Sequence, residues 1–542
     1  MLSSSGLFAF FVTQPSTAEK IWNTLTDDTF AGVHSLAFFD YAILVPYFLF
    51  LTVLSFYGLH RFAMIRGYYK GKKNMPQQPP AYFNEADLPP VTIQLPLFNE
   101  RYVVERLLES ASKVRYPKDK LQIQILDDST DDSAAYTEAL VARYVQRGFN
   151  MEYRHRTNRK GYKAGALEEG LATATGELTA IFDADFIIPE DFLENTVHYF
   201  TDPKVGVVQT RWSYLNRHYN LLTEVQTMLL DGHFVLEHGA RAGTGLFFNF
   251  NGTAGIMRKE MVRDAGGWQH DTLTEDSDLS YRAQLKGWRF VYLPHVHCPS
   301  ELPVETYGFQ VQQARWAKGL TQCAKKLLER ILKSDLPWRH KMEAFCHLTP
   351  NISYPLMIVV SALMLPVMIV RFYMGPLEML ILDFPLIIAN FASLTAFYLI
   401  AQRELDPKGW KRTIWFMPAL MAAGVALTLS NTKAVLEALF GVQTAFARTA
   451  KYNIGEKKLK LTQVQYKRKS GLLPFFEIGM GTGFAAMVYY CVESLNFLSI
   501  PFLMIFVSGY YWAGFSTLWE EYQGLLEFKA AERQAAKATQ EV

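Results

Sequence analysis

The distribution of apolar residues constrains this chain more than any other feature of its sequence. A membrane span takes about 20 mostly apolar residues, and several segments qualify, but none lies between Gln77 and Lys341. Half of the 542 residues are hydrophobic, 20% are charged, and the mean hydropathy is +0.01. A protein made only of membrane helices would score higher, so the sequence predicts a membrane protein with a sizeable soluble domain.

The first predicted span covers residues 41–59. Before it only Lys20 is basic, whereas basic residues and no acid follow it in "HRFAMIRGYYKGKK". Because positive residues accumulate on the cytoplasmic side, we expect the N-terminus outside and the soluble domain in the cytoplasm. Five further apolar segments follow the soluble stretch, at 344–370, 384–402, 413–432, 471–492 and 494–518.

The basic loops leave the number of spans at five or six. Loops 402–412 and 441–470 are both basic and should both be cytoplasmic, yet one apolar segment separates them. A single crossing cannot return to the same side. We therefore expect residues 413–440 not to cross fully, their amphipathic later part lying along the interface. That gives five spans, and six spans are the alternative.

The predicted division of the chain follows from these segments. Residues 1–76 hold the first span, and residues 77–341 form the cytoplasmic domain, which ends in interfacial helices. Residues 342–518 form the membrane region, which includes the basic segment 441–470, and residues 519–542 form a cytoplasmic tail.

Charge and cysteine content exclude some classes of function. The net charge of +2 gives no sign of a nucleic-acid partner. The four cysteines lie far apart and form no CxxC pair, so we expect neither a zinc site nor a disulfide framework. The apolar start is short and lacks a basic flank, which argues against a signal peptide.

The soluble stretch alternates strand and helix patterns. Short apolar runs that suit strands are "VTIQLPLF", "LQIQIL", "MEYRHR" and "LTAIFD", and segments with helical period are "ERYVVERLLESASKV" and "SAAYTEALVARYVQ". This order predicts an α/β domain with a largely parallel sheet. In such sheets ligands bind beyond the carboxyl ends of the strands.

Acidic residues stand at those strand ends. Asp127 and Asp128 follow "LQIQIL", and Asp183 and Asp185 follow "TAIF". A D-x-D pair is a hard-oxygen ligand set for Mg²⁺ or Mn²⁺, which prefer one or two carboxylates plus substrate phosphates. The pair would hold an ion that neutralises a diphosphate leaving group. By itself D-x-D is also typical of a solvated turn.

Three further stretches have functional and structural interpretations. "RTNRKGYKAGAL" sets basic side chains among glycines before a helix, which suits a diphosphate. "TLTEDSDL" places Glu275 and Asp276 at a helix start, as capping acids or with Asp276 as a general base. "QVQQARWAKGL" puts Gln312, Arg315 and Trp316 on one helical face, which also suits a helix on the membrane surface.

Together these stretches resemble the processive family 2 glycosyltransferases of the cellulose-synthase superfamily. Their signature is D, D-x-D, T-E-D and Q-x-x-R-W, matched here by "LDDSTDD", "FDADF", "LTEDSD" and "QQARW" within about residues 90–335. Other stretches, such as "QLPLFNE", "GYKAGAL" and "FNGTAG", are most similar to the cellulose-synthase-like A and C branches. Those branches make β-1,4-mannan or glucomannan and the xyloglucan backbone. The resemblance implies an α/β nucleotide-sugar-binding domain of glycosyltransferase A type within an α-helical transmembrane protein.

The resemblance implies donor-binding roles. Asp127 or Asp128 would contact the nucleotide, the doubled acid leaving both open. Lys163, Gln312 and Arg315 would contact the diphosphate.

It also implies a metal and an acceptor side. Asp183 and Asp185 would hold Mg²⁺ or Mn²⁺. Asp276 would deprotonate the acceptor 4-hydroxyl, with Glu275 beside it, and Trp316 would stack under the acceptor sugar.

Two loops complete the resemblance. "FNFNGTAG", from Phe248 to Gly255, would line the acceptor site. "FARTAKYNIG" resembles the gating loop that covers the donor site in these synthases, with Phe446, Thr449 and Lys451 matching F-x-x-T-x-K. The alternative is a basic loop that is merely solvated.

The implied function is an inverting, processive transfer from UDP-glucose or GDP-mannose to a growing β-1,4-linked polysaccharide, which then passes through the membrane. The bilayer is a further partner, and a periplasmic or homo-oligomeric partner is left open. We expect the protein in a plasma membrane, in bacteria the inner one. The alternatives are a transferase that adds one sugar to a membrane lipid, and a transporter or scaffold with an inactive domain; the intact acidic motifs argue against the latter.

Overall fold

The structure is a computed structural model. It describes residues 35–371, 381–382, 384–386, 388–444, 451, 453–454, 471–494 and 497–540, and the isolated positions 16, 19, 22–23 and 26. Lys451 of the predicted gating loop is therefore described, whereas Phe446 and Thr449 lie outside the described residues.

The predicted α/β domain is built on one mixed sheet. In the described residues the strands are β1 (Val91–Leu97), β2 (Leu121–Asp127), β3 (Met151–His155), β4 (Leu178–Ile181), β5 (Val205–Tyr214), β6 (Gly255–Arg258) and β7 (Arg289–Ser300). Their order is β3-β2-β1-β4-β6-β5-β7. Only β6 runs antiparallel to its neighbours among these strands. The four strands predicted from sequence correspond to β1–β4.

Both faces of the sheet are buried, which explains why its strands are continuous runs of buried residues. In β1 the odd-numbered residues are apolar and lie in one core. Thr92 and Gln94 on the other face are also buried, and they donate to Gln122 Oε1 (2.8 Å) and Gln124 Oε1 (3.1 Å) of β2. These side-chain bonds satisfy polar groups that burial would otherwise destabilise.

Helices cover the two faces and continue the chain toward the membrane. Before the sheet comes α1 (Phe38–Gly71). The helices between the strands are α2 (Val104–Ser112), α3 (Ser133–Gln146), α4 (Tyr162–Thr173), α5 (Phe192–Thr196), α6 (Leu221–Gly232), α7 (Gly239–Gly243), α8 (Lys259–Asp264) and α9 (Glu275–Leu285). After the sheet follow α10 (Thr306–Lys333) and α11 (Trp338–Leu348). The expected domain boundary at residue 341 falls inside α11.

Five helical segments of the described chain are long and apolar enough to cross a membrane. They are Phe38–Asn74, Pro350–Arg371, Phe384–Leu405, Trp410–Leu439 and Leu473–Glu493. The number agrees with the expected five, but the set differs. It contains Trp410–Leu439, which was expected along the interface, and lacks the expected span 494–518.

The segment Trp410–Leu439 is nevertheless unlike the other four. It is divided into α14 (Met417–Ala426) and α15 (Thr428–Leu439), and 56% of its most apolar part is buried, against 22–28% in the others. Met417 and Leu420 of α14 pack on Val225 and Met228 of α6. The segment therefore lies against the soluble domain.

Contacts before and within the segment Trp410–Leu439 also connect it to the soluble domain. Before it, α13 (Ser393–Leu405) ends near the soluble domain, and Gln402 Nε2 donates to Asp231 Oδ2 (2.8 Å). Within α15, Glu437 Oε2 lies 2.8 Å from Lys318 Nζ of α10. The helix before this segment and its own later helix thus contact the same domain, and the interfacial position stays a prediction.

The remaining membrane helices form a bundle. They are α12 (Ser353–Arg371), α16 (Leu473–Glu493) and α17 (Ile500–Gln540), and they share one apolar cluster with α1. Phe484 of α16 stacks on Phe506 of α17, with ring centroids 4.6 Å apart. The first part of α17 therefore belongs to the bundle, although tyrosine and tryptophan lower its mean hydropathy. The same helix runs through the expected boundary at residue 518.

Candidate active site

A cleft opens where the carboxyl ends of β1, β2 and β4 meet α9 and α10. Its empty volume, including the part open to solvent, is about 1150 Å³. Most of the site residues predicted from separate stretches line it: Asp128, Lys163, Asp183, Asp185, Glu275, Asp276, Gln312, Arg315, Trp316 and Lys451. The fold thus brings six distant stretches to one place.

The doubled acid after β2 divides into two roles. Asp127 is fully buried and does not line the cleft; its carboxylate accepts from the Ser129 N–H (2.8 Å) and the Tyr153 hydroxyl (2.9 Å). Asp128 lines the cleft and accepts two bonds from Arg156 (2.7 and 2.6 Å). Of the two predicted residues, Asp128 is therefore the one at the cleft, and Asp127 stabilises the turn after β2 through the Ser129 N–H.

Lys163 links two sides of the cleft. It stands in the first turn of α4, and its Nζ lies 2.5 Å from Asp183 Oδ1 and donates to the Gly252 carbonyl (2.8 Å). Arg159, in the same basic stretch, lines the cleft with its guanidinium 3.3 Å from the centroid of the Phe98 ring. Lys160 is exposed and does not line the cleft.

Lys451 reaches the cleft from the chain between α15 and α16. Its Nζ lies 2.6 Å from Asp185 Oδ1 and 3.5 Å from Glu100 Oε1. Burial by itself would raise the pKa of Asp183, but the ammonium groups of Lys163 and Lys451 hold that pKa below its ordinary value. Each carboxylate of the D-x-D pair thus faces a lysine.

The donor set fits a divalent ion that needs further ligands. Among the described residues, no group of three or more His, Cys, Asp or Glu side chains is suited to a metal. Asp183 and Asp185 alone offer two carboxylates at one edge of the cleft. That is the share a protein supplies to Mg²⁺ or Mn²⁺ when phosphate oxygens and water complete the coordination.

Asp276 lies in the first turn of α9 and accepts from the Ser277 N–H (2.7 Å). Gly252 has a φ of +79°, and a β-carbon there would be 2.9 Å from Asp276 Oδ2, so the loop can approach only as glycine. Burial, together with the charge of Glu275, raises the pKa of Asp276 to about 7. Burial also raises the pKa of Glu275. Asp276 can therefore exchange a proton near neutral pH.

The helix α10 carries Gln312, Arg315 and Trp316 along the cleft. Burial lowers the pKa of Arg315, and the charges of Asp183 and Glu275 act against that. Three acidic side chains of the later helices α15, α16 and α17 hold this helix in place. Glu520 accepts from the N–H groups of Thr306 (2.7 Å) and Tyr307 (3.0 Å). Glu477 accepts from the Gln310 amide (2.7 Å), and Glu437 accepts from Lys318 Nζ (2.8 Å).

Some cleft residues were not predicted from the sequence. Glu100 follows the end of β1, as the predicted acids follow β2 and β4, so the same pattern could have found it. Arg156 follows β3 in the same way and donates to Asp128, although it does not itself line the cleft. Trp212 also lines the cleft, and no local pattern marks it. Asn251 and Gly252 line it too; they belong to the stretch from Phe248 to Gly255, whose role in the acceptor site stays a prediction.

Comparison with known proteins gives a family match within the soluble domain. Residues 89–319 match the family described as glycosyltransferase like family 2. The chain is 41% identical over 254 residues to glucomannan 4-beta-mannosyltransferase 2 of Arabidopsis thaliana, which covers 46% of this chain and 48% of that protein. It is 41% identical over 249 residues to glucomannan 4-beta-mannosyltransferase 1 of Cyamopsis tetragonoloba, covering 45% and 47%. The chain thus spans about half the length of the curated relatives it matches.

Two solved structures show weaker similarity. A mannosyltransferase from Pyrobaculum calidifontis in complex with GDP-Man and Mn²⁺ is 21% identical, covers 73% of this chain and 100% of its own, and has a TM-score of 0.49. Residues 1–349 of S. aureus TarS are 15% identical, cover 66% of this chain and 93% of their own, and have a TM-score of 0.36.

Proposed function

Residues 89–319 are a family 2 glycosyltransferase domain, and from that premise we propose that the whole chain is a membrane-embedded, inverting β-glycosyltransferase that extends a β-1,4-linked polysaccharide. The predicted family and α/β fold are confirmed for this domain. The observation that carries the proposal is the meeting, in one cleft, of the Asp183 and Asp185 carboxylates, the Asp276 carboxyl group and a cluster of cations.

The cationic side of the cleft suits a nucleoside diphosphate. Lys163, Arg315 and Lys451 bring positive charge to its lining, and Gln312 adds an amide. Asp128, at the end of β2, lies where a nucleotide would bind in such a sheet. When bound between Asp183 and Asp185, Mg²⁺ or Mn²⁺ would supply further neutralisation of the departing diphosphate.

The acceptor side rests on Asp276 and Trp316. Asp276 would take the proton from the acceptor hydroxyl, whose oxygen attacks the anomeric carbon as the bond to the diphosphate breaks. One displacement inverts the configuration, and no covalent enzyme intermediate is needed. The indole of Trp316 offers a flat apolar face for a sugar ring, with Glu275 nearby.

The named relatives favour one of the two expected donors. Both are glucomannan 4-beta-mannosyltransferases, which supports GDP-mannose over UDP-glucose and a mannan or glucomannan product. The growing polysaccharide is then the acceptor, and the membrane bundle its exit route.

The proposed topology has five spans, with the soluble domain in the cytoplasm and the N-terminus outside. The spans are α1, α12, the segment Phe384–Leu405, α16 and the first part of α17, and the segment Trp410–Leu439 lies along the interface. The contacts of Gln402 and Glu437 with the soluble domain support this arrangement. We place the protein in a plasma membrane, in bacteria the inner one.

The test is transfer by the purified chain in detergent with Mn²⁺ or Mg²⁺. Radiolabelled GDP-mannose and UDP-glucose are offered separately, with an Asp276→Asn control. We expect a high-mass product from GDP-mannose that β-mannanase digests and the control lacks. Label confined to a lipid-extractable single-sugar product would replace the polymer proposal by the lipid transferase. No transfer from either donor would overturn both.

A further inference from the structure

Asn251 stands beside the reacting groups of the cleft. Its neighbour Gly252 accepts from Lys163 through its carbonyl and faces Asp276 at its α-carbon. The Asn251 backbone is fixed, because its N–H donates to Gln209 Oε1 (2.9 Å). The side chain therefore enters the cleft from a rigid loop, close to the proposed base and to the lysine that contacts Asp183.

The two ends of the Asn251 amide are in different situations. Nδ2 lies 3.0 Å from Nε2 of His233. Oδ1 is buried and has no hydrogen-bonding partner among the described residues. Buried polar atoms in folded proteins are almost always paired. An unpaired acceptor on a residue that lines a cleft marks a place where a ligand supplies the donor.

His233 and Glu237 dictate which end of the amide is left free. The amide nitrogen only donates, so His233 Nε2 must accept, and the ring hydrogen is then on Nδ1. Glu237 Oε2 lies 2.8 Å from that Nδ1 and accepts the hydrogen. Turning the amide over would set its oxygen against the lone pair of Nε2. The Glu237–His233 pair thus keeps Oδ1 as the available acceptor.

Glu237 is held in its charged, accepting form. Burial alone would raise the pKa of Glu237, but the hydrogen bond from His233 and the charge of Arg241 hold that pKa below its ordinary value. The Arg241 guanidinium lies 3.7 Å from Glu237 Oε2.

The segment that carries these groups has an unusual shape. His233–His238 is a π-helical turn between α6 and α7, and such turns are rare and often lie at functional sites. The turn contacts the loop twice, through His233 to Asn251 and through His238 Nε2 to the Asn249 carbonyl (3.0 Å). The π-helical turn is thus hydrogen-bonded to the loop that lines the cleft.

We propose that Asn251 Oδ1 accepts a hydrogen bond from a hydroxyl group of a sugar in the cleft, and that His233 and Glu237 are positioning residues that hold the amide for it. This rests on the proposed function. The hydroxyl belongs to the donor sugar or to the end of the acceptor chain, and the experiment separates the two.

The test compares KM and kcat of the full-length protein for GDP-mannose and for a β-1,4-mannan oligosaccharide acceptor. Asn251→Ala should raise one of the two KM values by about threefold to tenfold, the effect of one lost hydrogen bond, with a smaller change in kcat. A higher KM for GDP-mannose assigns the hydroxyl to the donor; a higher KM for the oligosaccharide assigns it to the acceptor.

Two histidine variants test the positioning role. His233→Phe should reproduce the KM change of Asn251→Ala, whereas His233→Gln, which keeps one acceptor and one donor, should restore most of the wild-type value. Asn150→Ala is the matched control, since Asn150 precedes β3, donates to the Leu121 carbonyl and does not line the cleft.

Three results would overturn the inference: unchanged KM values in Asn251→Ala, an equal defect in His233→Gln and His233→Phe, or the same KM change in Asn150→Ala. Each leaves the proposed function standing, because wild-type transfer is measured in the same assay. Absence of wild-type transfer would instead overturn the proposed function.

Discussion

Gly319 of α10 lies directly against Thr274, the residue that precedes α9. A β-carbon at residue 319 would be 2.5 Å from Thr274 Cγ2 and 2.7 Å from its backbone nitrogen. This contact sets the distance between the helix that carries Arg315 and the helix that begins with Glu275 and Asp276. The width of the cleft therefore depends on the absence of a β-carbon at Gly319.

Gly319→Ala should widen the cleft and slow transfer. Overpacking a tight contact costs about 1–3 kcal/mol of folding stability. The helix shift that relieves it would move Arg315 away from Asp276, so we expect kcat/KM to fall by about tenfold or more. Gly424→Ala is the matched control, because a β-carbon at Gly424 would meet nothing within 4 Å. Equal activity of the two variants in the transfer assay would contradict the role of this contact.

The kcat/KM of transfer should increase as the pH is raised through about 7. The base must be deprotonated to accept the acceptor proton, and burial with the charge of Glu275 raises the pKa of Asp276 to about 7. Glu275→Gln removes the neighbouring charge and should move the rising limb of the kcat/KM profile to lower pH. A profile that Glu275→Gln leaves in place would show that another group controls the limb.

Asp276→Asn should abolish transfer and yet stabilise the protein in mild alkali. The pKa of Asp276 is raised by burial above its ordinary 3.8, so the folded state prefers the protonated form and loses stability as the pH rises toward 7. The amide carries no charge, and the gain should be on the order of 4 kcal/mol at pH 8, since one pKa unit corresponds to about 1.4 kcal/mol.

Thermal unfolding of both proteins at pH 5 and pH 8 measures this difference. The advantage of the variant should be larger at pH 8. A difference in melting temperature that does not change with pH would contradict the assignment.

Glu520→Gln should loosen the start of α10. A carboxylate that receives two N–H groups at a helix N-terminus contributes about 1 kcal/mol, and Glu520 receives those of Thr306 and Tyr307. We expect lower thermal stability and a loss of kcat/KM of about tenfold, because Gln312 and Arg315 follow on the same helix. Glu329→Gln, an exposed pair partner of Lys333 farther along α10, is the control. A loss of the same size in the control would refute the special role of Glu520.

Residues on both sides of the segment Trp410–Leu439 should face the cytoplasm. Cysteines placed at Lys408 and at Val442, both exposed, would be treated with a membrane-impermeant maleimide in right-side-out and inside-out vesicles. We expect both to react only in the inside-out preparation. Reaction of the two from opposite sides would show that the segment crosses the bilayer.

Local sequence pattern was enough for the first half of the soluble domain. The predicted helix over residues 133–146 has the bounds of α3, and the predicted strands correspond to β1–β4. In this part of the chain short apolar segments are clearly separated by polar turn segments. The acids at strand ends were found for the same reason: parallel strands bring their carboxyl ends to one edge whatever the rest of the fold.

Tertiary contacts decided what the pattern left open. Nothing local separates Asp127 from Asp128, since their roles depend on Tyr153 and Arg156 of the neighbouring strand and loop. Trp212 enters the cleft only because β5 converges there with the strands that carry the acids. The apolar segment 410–439 has the composition of a span; the basic loops beside it gave the first sign that it differs, and its packing on α6 and α10 adds a second.

The contact between Lys451 and Asp185 has a consequence for protein engineering. A cation of the cleft comes from the chain after α15, so cutting out residues 77–341 as a soluble enzyme would leave an incomplete binding site with an uncompensated carboxylate. The same applies to a chimera that grafts this domain onto the membrane helices of a relative. The unit that can be transplanted is the whole described assembly of sheet, interfacial helices and bundle, and not the domain that the family match delimits.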